Sequence, residues 1–420
     1  MPHAASFPDE PATELLLRFA RAGHDAGYPT AELEERLLAC SDALGLRGTQ
    51  VSATPTVIDL AIGSLPRQRS YTLRVRPPTV DLDAIARLDE LVDDIVNGGL
   101  GVDAASTRLA TIESTPLNRP WPLLLAAYGL AGAALTPILG GGWREAAAAA
   151  GVGLVAGGVA LPVRGTARAE PMVAPLAATA AGFCAAWLAQ LGLVANPDVV
   201  TVAALVTLLP GVTFTIGMRE LATKNPRSGL ANTASALVQL FGLVFGVGIG
   251  RSIAASWFGP VAADGPSSSH LGVELLAAVA AGLVFTLTLR ARYRDALLMC
   301  SATGLALGAN ELGAELVGRE AAVFVAALTV GLVGGAVSSL LRRSALVFIV
   351  PGVYMLVPSS AGFNSLLQLL TDQTVSGLTA GFDTFVTAMS IAYGLIASAA
   401  ILPGYRRRMP VGTPQSPHDG

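Results

Sequence analysis

The chain is poor in the residues that build most catalytic and metal centres. Four histidines and three cysteines occur among 420 residues. His3 and His418 lie in polar ends and His270 in a connector, which leaves His24 alone in a segment expected to be ordered. Cys40, Cys184 and Cys300 are odd in number and lack metal-ligand spacing, so they read as small packing residues. A histidine-based metal centre or catalytic triad has little to build with. No metal, no cofactor and no enzymatic activity are expected. Charge is scarce too: 14% of residues are Asp, Glu, Lys or Arg, while 52% are hydrophobic and mean hydropathy is +0.57. A soluble domain carries about 25% charged residues. The composition therefore excludes an ordinary soluble protein and indicates a polytopic α-helical membrane protein.

What charge there is falls unevenly. Residues 1–118 hold 10 Arg against 17 Asp plus Glu, and an acidic front segment argues against nucleic acid as a partner. No basic run followed by an apolar stretch opens the chain, so no cleavable signal peptide is expected and the front segment should stay in the cytoplasm. Leu15, Leu16, Phe19 and Ala20 predict a helix to about Gly23. Thr30 opens a second helix through Leu33, Leu37, Leu38 and Leu44. Alternating runs at 49–53, 56–62 and 71–75 predict three strands, closed by Pro77-Pro78. Two helices follow, from Asp81 and from about Val102. The order ααβββαα gives a small α+β domain. Its acids Asp89, Glu90, Asp93 and Asp94 read as a solvated helix face, and the proximity of Ser41 and Asp42 to His24 as coincidence.

Behind it, ten apolar segments approach the roughly 20 residues that a bilayer core requires. They lie near 121–140, 145–163, 172–194, 198–218, 229–250, 271–289, 296–312, 320–341, 345–366 and 378–402. Every second connector is basic. Arg164, Arg168, Arg219, Lys224, Arg227, Arg290, Arg292, Arg294, Arg342, Arg343 and Arg406 to Arg408 fall on one side, with Arg144, Arg251 and Arg319 on the other. The positive-inside rule then places both termini in the cytoplasm, and the expected location is the inner (plasma) membrane. The expected domains are 1–118, a first five-helix half at 119–260, a second at 261–405, and a tail at 406–420.

The two halves resemble each other. Leu209-Pro210-Gly211-Val212 precedes Arg219-Glu220 and Ser228-Gly229-Leu230; Val350-Pro351-Gly352-Val353 precedes Ser376-Gly377-Leu378. Aligning Ser228 with Ser376 aligns Val238 with Val386 and Gly246 with Gly394, and leaves the second connector seven residues longer. Five spans is an odd number, so the second copy must enter the membrane in the opposite sense, as two inverted repeats. Proline and glycine inside an apolar segment predict a helix break in each copy, the sequence pointer to a carrier's binding site.

On Leu209-Pro210-Gly211, Arg219-Glu220-Leu221 and Ser228-Gly229-Leu230, behind a front domain of this layout, the chain resembles the threonine/serine exporter family. Val350-Pro351-Gly352-Val353 and the last two spans resemble that family's second half. The resemblance runs from about Glu14 to Leu402 and implies ten transmembrane helices and export of L-threonine and L-serine driven by the proton-motive force. Some relatives split the halves into two chains associated with succinate export. The family's usual Asp is Glu220 here, and Gly217 stands near the place of a usual Asn.

Polar groups within spans are costly and default to functional candidates. Asp383 in the tenth segment is the principal candidate for proton coupling, with Glu311 in the seventh as the weaker one. Substrate-binding candidates are Pro210, Gly211, Thr213, Thr215, Asn232, Pro351 and Gly352, with Thr207 a further hydroxyl. A half-helix N-terminus would favour a substrate carboxylate, and freed carbonyls an ammonium. Arg219 and Glu220 fit a structural or gating pair, and Gln239 and Thr233 fit bonds between helices. The expected partners are a small amino acid, protons and the lipid bilayer, with a homo-oligomer left open. A dicarboxylate (succinate) exporter and a membrane receptor with a signalling front domain are the alternatives.

Overall fold

The computed structural model describes residues 10–64, 66, 68–76, 80–115, 119–163, 169–259, 270–341, 343–370 and 373–402. His3, His418, Pro77-Pro78, Arg164, Arg168, Arg342 and Arg406 to Arg408 lie outside them. The chain groups into two compact units, one of residues 1–116 with 335–345 and 397–420, the other of 117–334 with 346–396.

The front of the first unit comprises α1 (Glu10–Asp25), α2 (Thr30–Ala43), β1 (Gln50–Ala53), β2 (Val57–Ile62), β3 (Arg69–Arg74), α3 (Leu82–Val96) and α4 (Val102–Ser114). The strands form one antiparallel sheet in the order β1-β2-β3, with Ile58 opposite Ala53 and Leu73. Alternation along β2 turns Ile58, Leu60 and Ile62 into the core. There they join Leu15, Leu16 and Phe19 of α1, Leu33 and Leu37 of α2, and Leu82, Ile85 and Leu88 of α3 among the domain's fully buried side chains. Asp81 caps α3 by accepting from the Ala84 amide at 3.0 Å.

Of the α3 acids expected on a solvated face, Asp89 departs from that expectation because Tyr28 and Arg36 satisfy it inside the domain. Asp89 is buried, receives the Tyr28 hydroxyl at 2.7 Å and pairs with Arg36 at 2.9 Å. Asp94 and Glu90 meet Arg108, and Asp83 pairs with Arg87. His24 is buried with Nε2 3.0 Å from the Arg76 carbonyl, and Ser41 donates to the Leu46 carbonyl. Burial pushes the Cys40 thiol up to about 12, so it stays protonated at neutral pH.

The remaining helices are α5 (Trp121–Leu135), α6 (Trp143–Val163), α7 (Val173–Gln190), α8 (Pro197–Leu205), α9 (Gly211–Ala222), α10 (Pro226–Phe258), α11 (Leu271–Thr288), α12 (Ala296–Val317), α13 (Arg319–Leu341), α14 (Leu346–Leu356), α15 (Ser359–Leu370) and α16 (Thr374–Ile401). Seven among the described residues are long and apolar enough to cross a membrane, or eight if the bent pair α8–α9 counts as one span. The other two expected segments are α5, short at 15 residues, and α12, which carries Asn310, Glu311 and Glu315 in its second half. Large apolar side chains face outward, Val238, Phe245, Leu276 and Phe382 among them, as a lipid-facing surface requires. Inside, small residues set the spacing: a β-carbon on Gly246 would collide with the Pro175 carbonyl, and one on Gly250 with the Thr179 carbonyl, so α10 lies directly on the α7 backbone.

The repeat is exact in register where the sequence reading inserted seven residues. The short 3-10 turn after α8 ends at Leu208 and α14 ends at Leu356; α9 spans Gly211–Ala222 and α15 spans Ser359–Leu370; α10 opens at Pro226 and α16 at Thr374. Each second bound lies 148 residues after the first. The counterpart of Pro210 is therefore Pro358, and the expected break at Pro351-Gly352 is absent: Pro351 sits inside α14. One proline deletes one donor, and its fixed backbone angle suits a helix. Phe348, Pro351, Gly352 and Val353 are all buried, so packing holds that turn in place. At Pro358 the next residues are Ser359-Ser360, which favour the start of a new helix.

Candidate functional site

The first break is built by local rules. Asn196 caps α8, its side chain accepting from the amides of Asp198 and Val199 at 3.1 Å. The helix tightens into the 3-10 turn Val206–Leu208. Leu209, preceding a proline, takes extended angles of φ −69° and ψ 126°. α9 then starts at Gly211, with its first bond from the Phe214 amide to the Pro210 carbonyl at 3.0 Å, and runs at 62° to α8. The break takes the Leu208 carbonyl out of the helical ladder, and the Gln239 side chain of α10 donates to it at 2.8 Å.

The second junction repeats the amide-to-proline bond. The Gly362 amide donates to the Pro358 carbonyl at 2.9 Å, the equivalent of Phe214 to Pro210. Each hairpin is then tied across. Asn232 of α10 donates to the buried Glu220 at 2.7 Å, while Ser376 of α16 donates to Gln368, the counterpart of Glu220, at 2.8 Å. Gly217 and Gly229 bring α9 and α10 together, since a β-carbon on Gly217 would lie 2.5 Å from Thr233 Oγ1 and one on Gly229 2.9 Å from the Gly217 carbonyl. At the equivalent place Ser365 donates to the Gly377 carbonyl at 2.7 Å.

The two breaks meet. A β-carbon on Gly211 would stand 2.6 Å from Ser359 Cβ, 3.2 Å from Ser359 Oγ, and closer still to Val357. Hydroxyl groups set the same region apart. Thr136, Thr179, Thr201, Thr286, Thr329 and Thr384 each bond the carbonyl four residues back in their own helices, at 2.7 to 2.9 Å. Thr207, Thr215 and Thr233 do not, and their buried hydroxyls have no hydrogen-bond partner. Thr215 is 2% exposed and stands one turn after Gly211 on the same face of α9. A buried hydroxyl without a partner costs about 1–3 kcal/mol, so these three, Thr207 and Thr215 near the break and Thr233 beside Gly217, call for an explanation.

The remaining candidates are dispersed. Thr213 is half-buried on the first turn of α9. Asn232 is occupied by Glu220. Gly352 packs on Val330 and the Ala302 carbonyl, and thus on α12 and α13. Asp383 is exposed on α16 between the exposed Phe382 and Phe385. Glu311 is half-buried on α12, 3.5 Å from Asn310, within electrostatic range of Glu274 on α11. Arg219 is half-buried beside Glu220, and its carbonyl receives the Thr223 hydroxyl near the end of α9. Ser359 was missed by sequence reading. The signal was present as the 18-residue spacing from Pro210 to Ser228, repeated from Pro358 to Ser376. Among the described residues no three His, Cys, Asp or Glu side chains are placed to hold a metal ion.

A family model described as a threonine/serine exporter matches residues 14–254. The chain belongs to the threonine/serine exporter family. A second model, "Threonine/Serine exporter, ThrE", matches residues 272–401, so the two matches cover both halves of the repeat. The chain is 23% identical to the threonine/serine exporter of Corynebacterium glutamicum over 401 residues, covering 91% of this chain and 80% of that protein. It is 27% identical to the "Probable threonine/serine exporter" of Mycobacterium tuberculosis, covering 91% and 75%. It is 23% identical to pheromone-regulated membrane protein 10 of Candida albicans, covering 92% of this chain and 38% of that larger protein. No solved structure matches the chain. Family membership makes this chain a membrane transport protein.

Proposed function

We propose that the chain exports L-threonine and L-serine in exchange for protons, by alternating access around the α8–α9 break. The observation that carries this reading is the buried, unpartnered hydroxyl of Thr215 one turn after Gly211, with that of Thr207 shortly before Pro210. Hydroxyls held off their own helices suit a substrate with a hydroxyl of its own, and the first turn of α9 suits its carboxylate. Pro210, Gly211, Thr213 and Thr215 supply this side of the site. Glu220 and Asn232 lock α9 to α10 so that the hairpin moves as a piece, with Arg219 beside them at its inner end.

In this reading α5 and α12 complete ten spans in two inverted halves, both termini are cytoplasmic, and the α+β domain lies inside the cell. Asp383 carries the proton. A carboxylate on an apolar helix face is too costly to leave against hydrocarbon, so its surroundings must be water or protein. Glu311, near Glu274, is the second candidate.

The deciding experiment is efflux from proteoliposomes loaded separately with labelled threonine, serine and succinate, with and without an imposed pH gradient. Gradient-stimulated serine and threonine efflux that loses its gradient dependence in Asp383→Asn is the expected result. Succinate efflux alone overturns the substrate, and an undiminished gradient response in Asp383→Asn overturns the role of that carboxylate.

A further inference from the structure

We propose that Ser359, the first residue of α15, lines the substrate site beside Gly211, its counterpart across a local two-fold axis. This deepens the export reading and rests on it. Gly211 and Ser359 are counterparts in the 148-residue register, and they touch. When two copies of a motif are related by a two-fold rotation, a residue that contacts its own counterpart lies on the axis. The N-termini of two 12-residue helices therefore converge on one seam, where α9 presents its first-turn amides, while on α15 the Ser359 amide is taken by the Val357 carbonyl at 2.8 Å.

The ligand is indicated independently by Thr215. It shares a helix face with Gly211, and side chains on a helix lean toward its N-terminus, which directs this buried, unpartnered hydroxyl at the seam. Glycine at 211 admits the backbone of α9 to within contact of Val357 and Ser359. The seam thus offers helix-terminal amides for a carboxylate, with the Ser359 and Thr215 hydroxyls for the side-chain oxygen of a small hydroxy amino acid. The chemistry is asymmetric: the counterpart of Thr215 is Phe363, which is fully buried among apolar neighbours. One orientation of the substrate is favoured as a result.

The test is substrate protection in full-length protein. Ser359→Cys is made in a Cys184→Ala background, which leaves only the buried Cys40 and Cys300. Its alkylation by N-ethylmaleimide should slow about tenfold with L-serine or L-threonine at ten times the half-saturating concentration. Leu297→Cys, exposed at the start of α12, should show no protection. Ser359→Ala, which removes only a hydroxyl, should raise KM for both amino acids about tenfold with maximal rate retained. Wild-type serine transport with no protection at 359 and an unchanged KM in Ser359→Ala overturns the proposal and leaves the export reading intact. Protection by succinate and not by serine supports the seam as a site and overturns the amino-acid reading. Absence of both transport and protection overturns both.

Discussion

In the first half of the membrane unit the chain turns by 62° at Leu209-Pro210, whereas in the second Val357-Pro358 joins α14 and α15 within one span, Leu346–Leu369. Helix bounds, the amide-to-proline bond and the tie across each hairpin recur at a constant spacing. The side chains have diverged. Thr207, Thr215 and Thr233 face Met355, Phe363 and Gly381 in the register, Glu220 faces Gln368, and Ser235 faces Asp383. Backbone geometry is held in common because each break needs the same hydrogen-bond accounting. Polar chemistry is not, since each buried hydroxyl or carboxylate adds cost and is kept where a ligand or proton repays it. The first break therefore carries the hydroxyl-rich side of the proposed site, and the second contributes a wall at Ser359.

The sharpest way to break this comparison is at the seam. Gly211→Ala forces a β-carbon against Val357 and Ser359, an overpacking worth about 1–3 kcal/mol, and should slow serine efflux by roughly tenfold to a hundredfold. Gly151→Ala, on α6 with open space around it, should leave flux unchanged. Efflux equally fast in both variants would mean that the contact of the two breaks is incidental.

Thr215→Val separates a functional hydroxyl from a structural one. Losing an unpartnered group should leave thermal stability in detergent equal or higher, while KM for serine and threonine rises about tenfold. Thr201→Val loses a bond to the Pro197 carbonyl and should lower stability by about 1 kcal/mol without that change in KM. A Thr215→Val protein that is less stable and transports normally contradicts the assignment.

The smallest effect distinguishes the junctions themselves. Gln239→Ala leaves the Leu208 carbonyl without its partner and should cost about 1 kcal/mol of stability. Thr387→Ala, the equivalent change in the second half, should cost less, because no bond from Thr387 matches the one that Gln239 gives the Leu208 carbonyl. Equal losses in thermal denaturation would remove the distinction between bent and straight breaks.

Composition and period were enough to read the front domain and the apolar helices. In the front domain the order ααβββαα follows from apolar positions at helical and strand spacing, because an isolated amphipathic element has only one face to bury. Long apolar runs such as 143–163 and 374–401 need no partner to be recognised as helices, since the bilayer requires backbone bonds to close within the segment. The break at Pro210 was legible for the same local reason, through its preceding residue and missing donor. The tertiary structure decided that Pro351 stays helical, which leaves Pro358, at the repeated 18-residue spacing before Ser376, as the matching break. Both prolines delete one donor; the serines after Pro358 favour a new helix, and the buried packing of Phe348, Gly352 and Val353 holds Pro351 within α14. It also decided that Gly211 meets Ser359, residues 148 positions apart, and that Thr207, Thr215 and Thr233 lack the partners that other threonines of the membrane helices have. Sequence determines which groups a segment must satisfy locally; where distant segments converge, and which polar groups are left without a partner there, depends on how the helices pack.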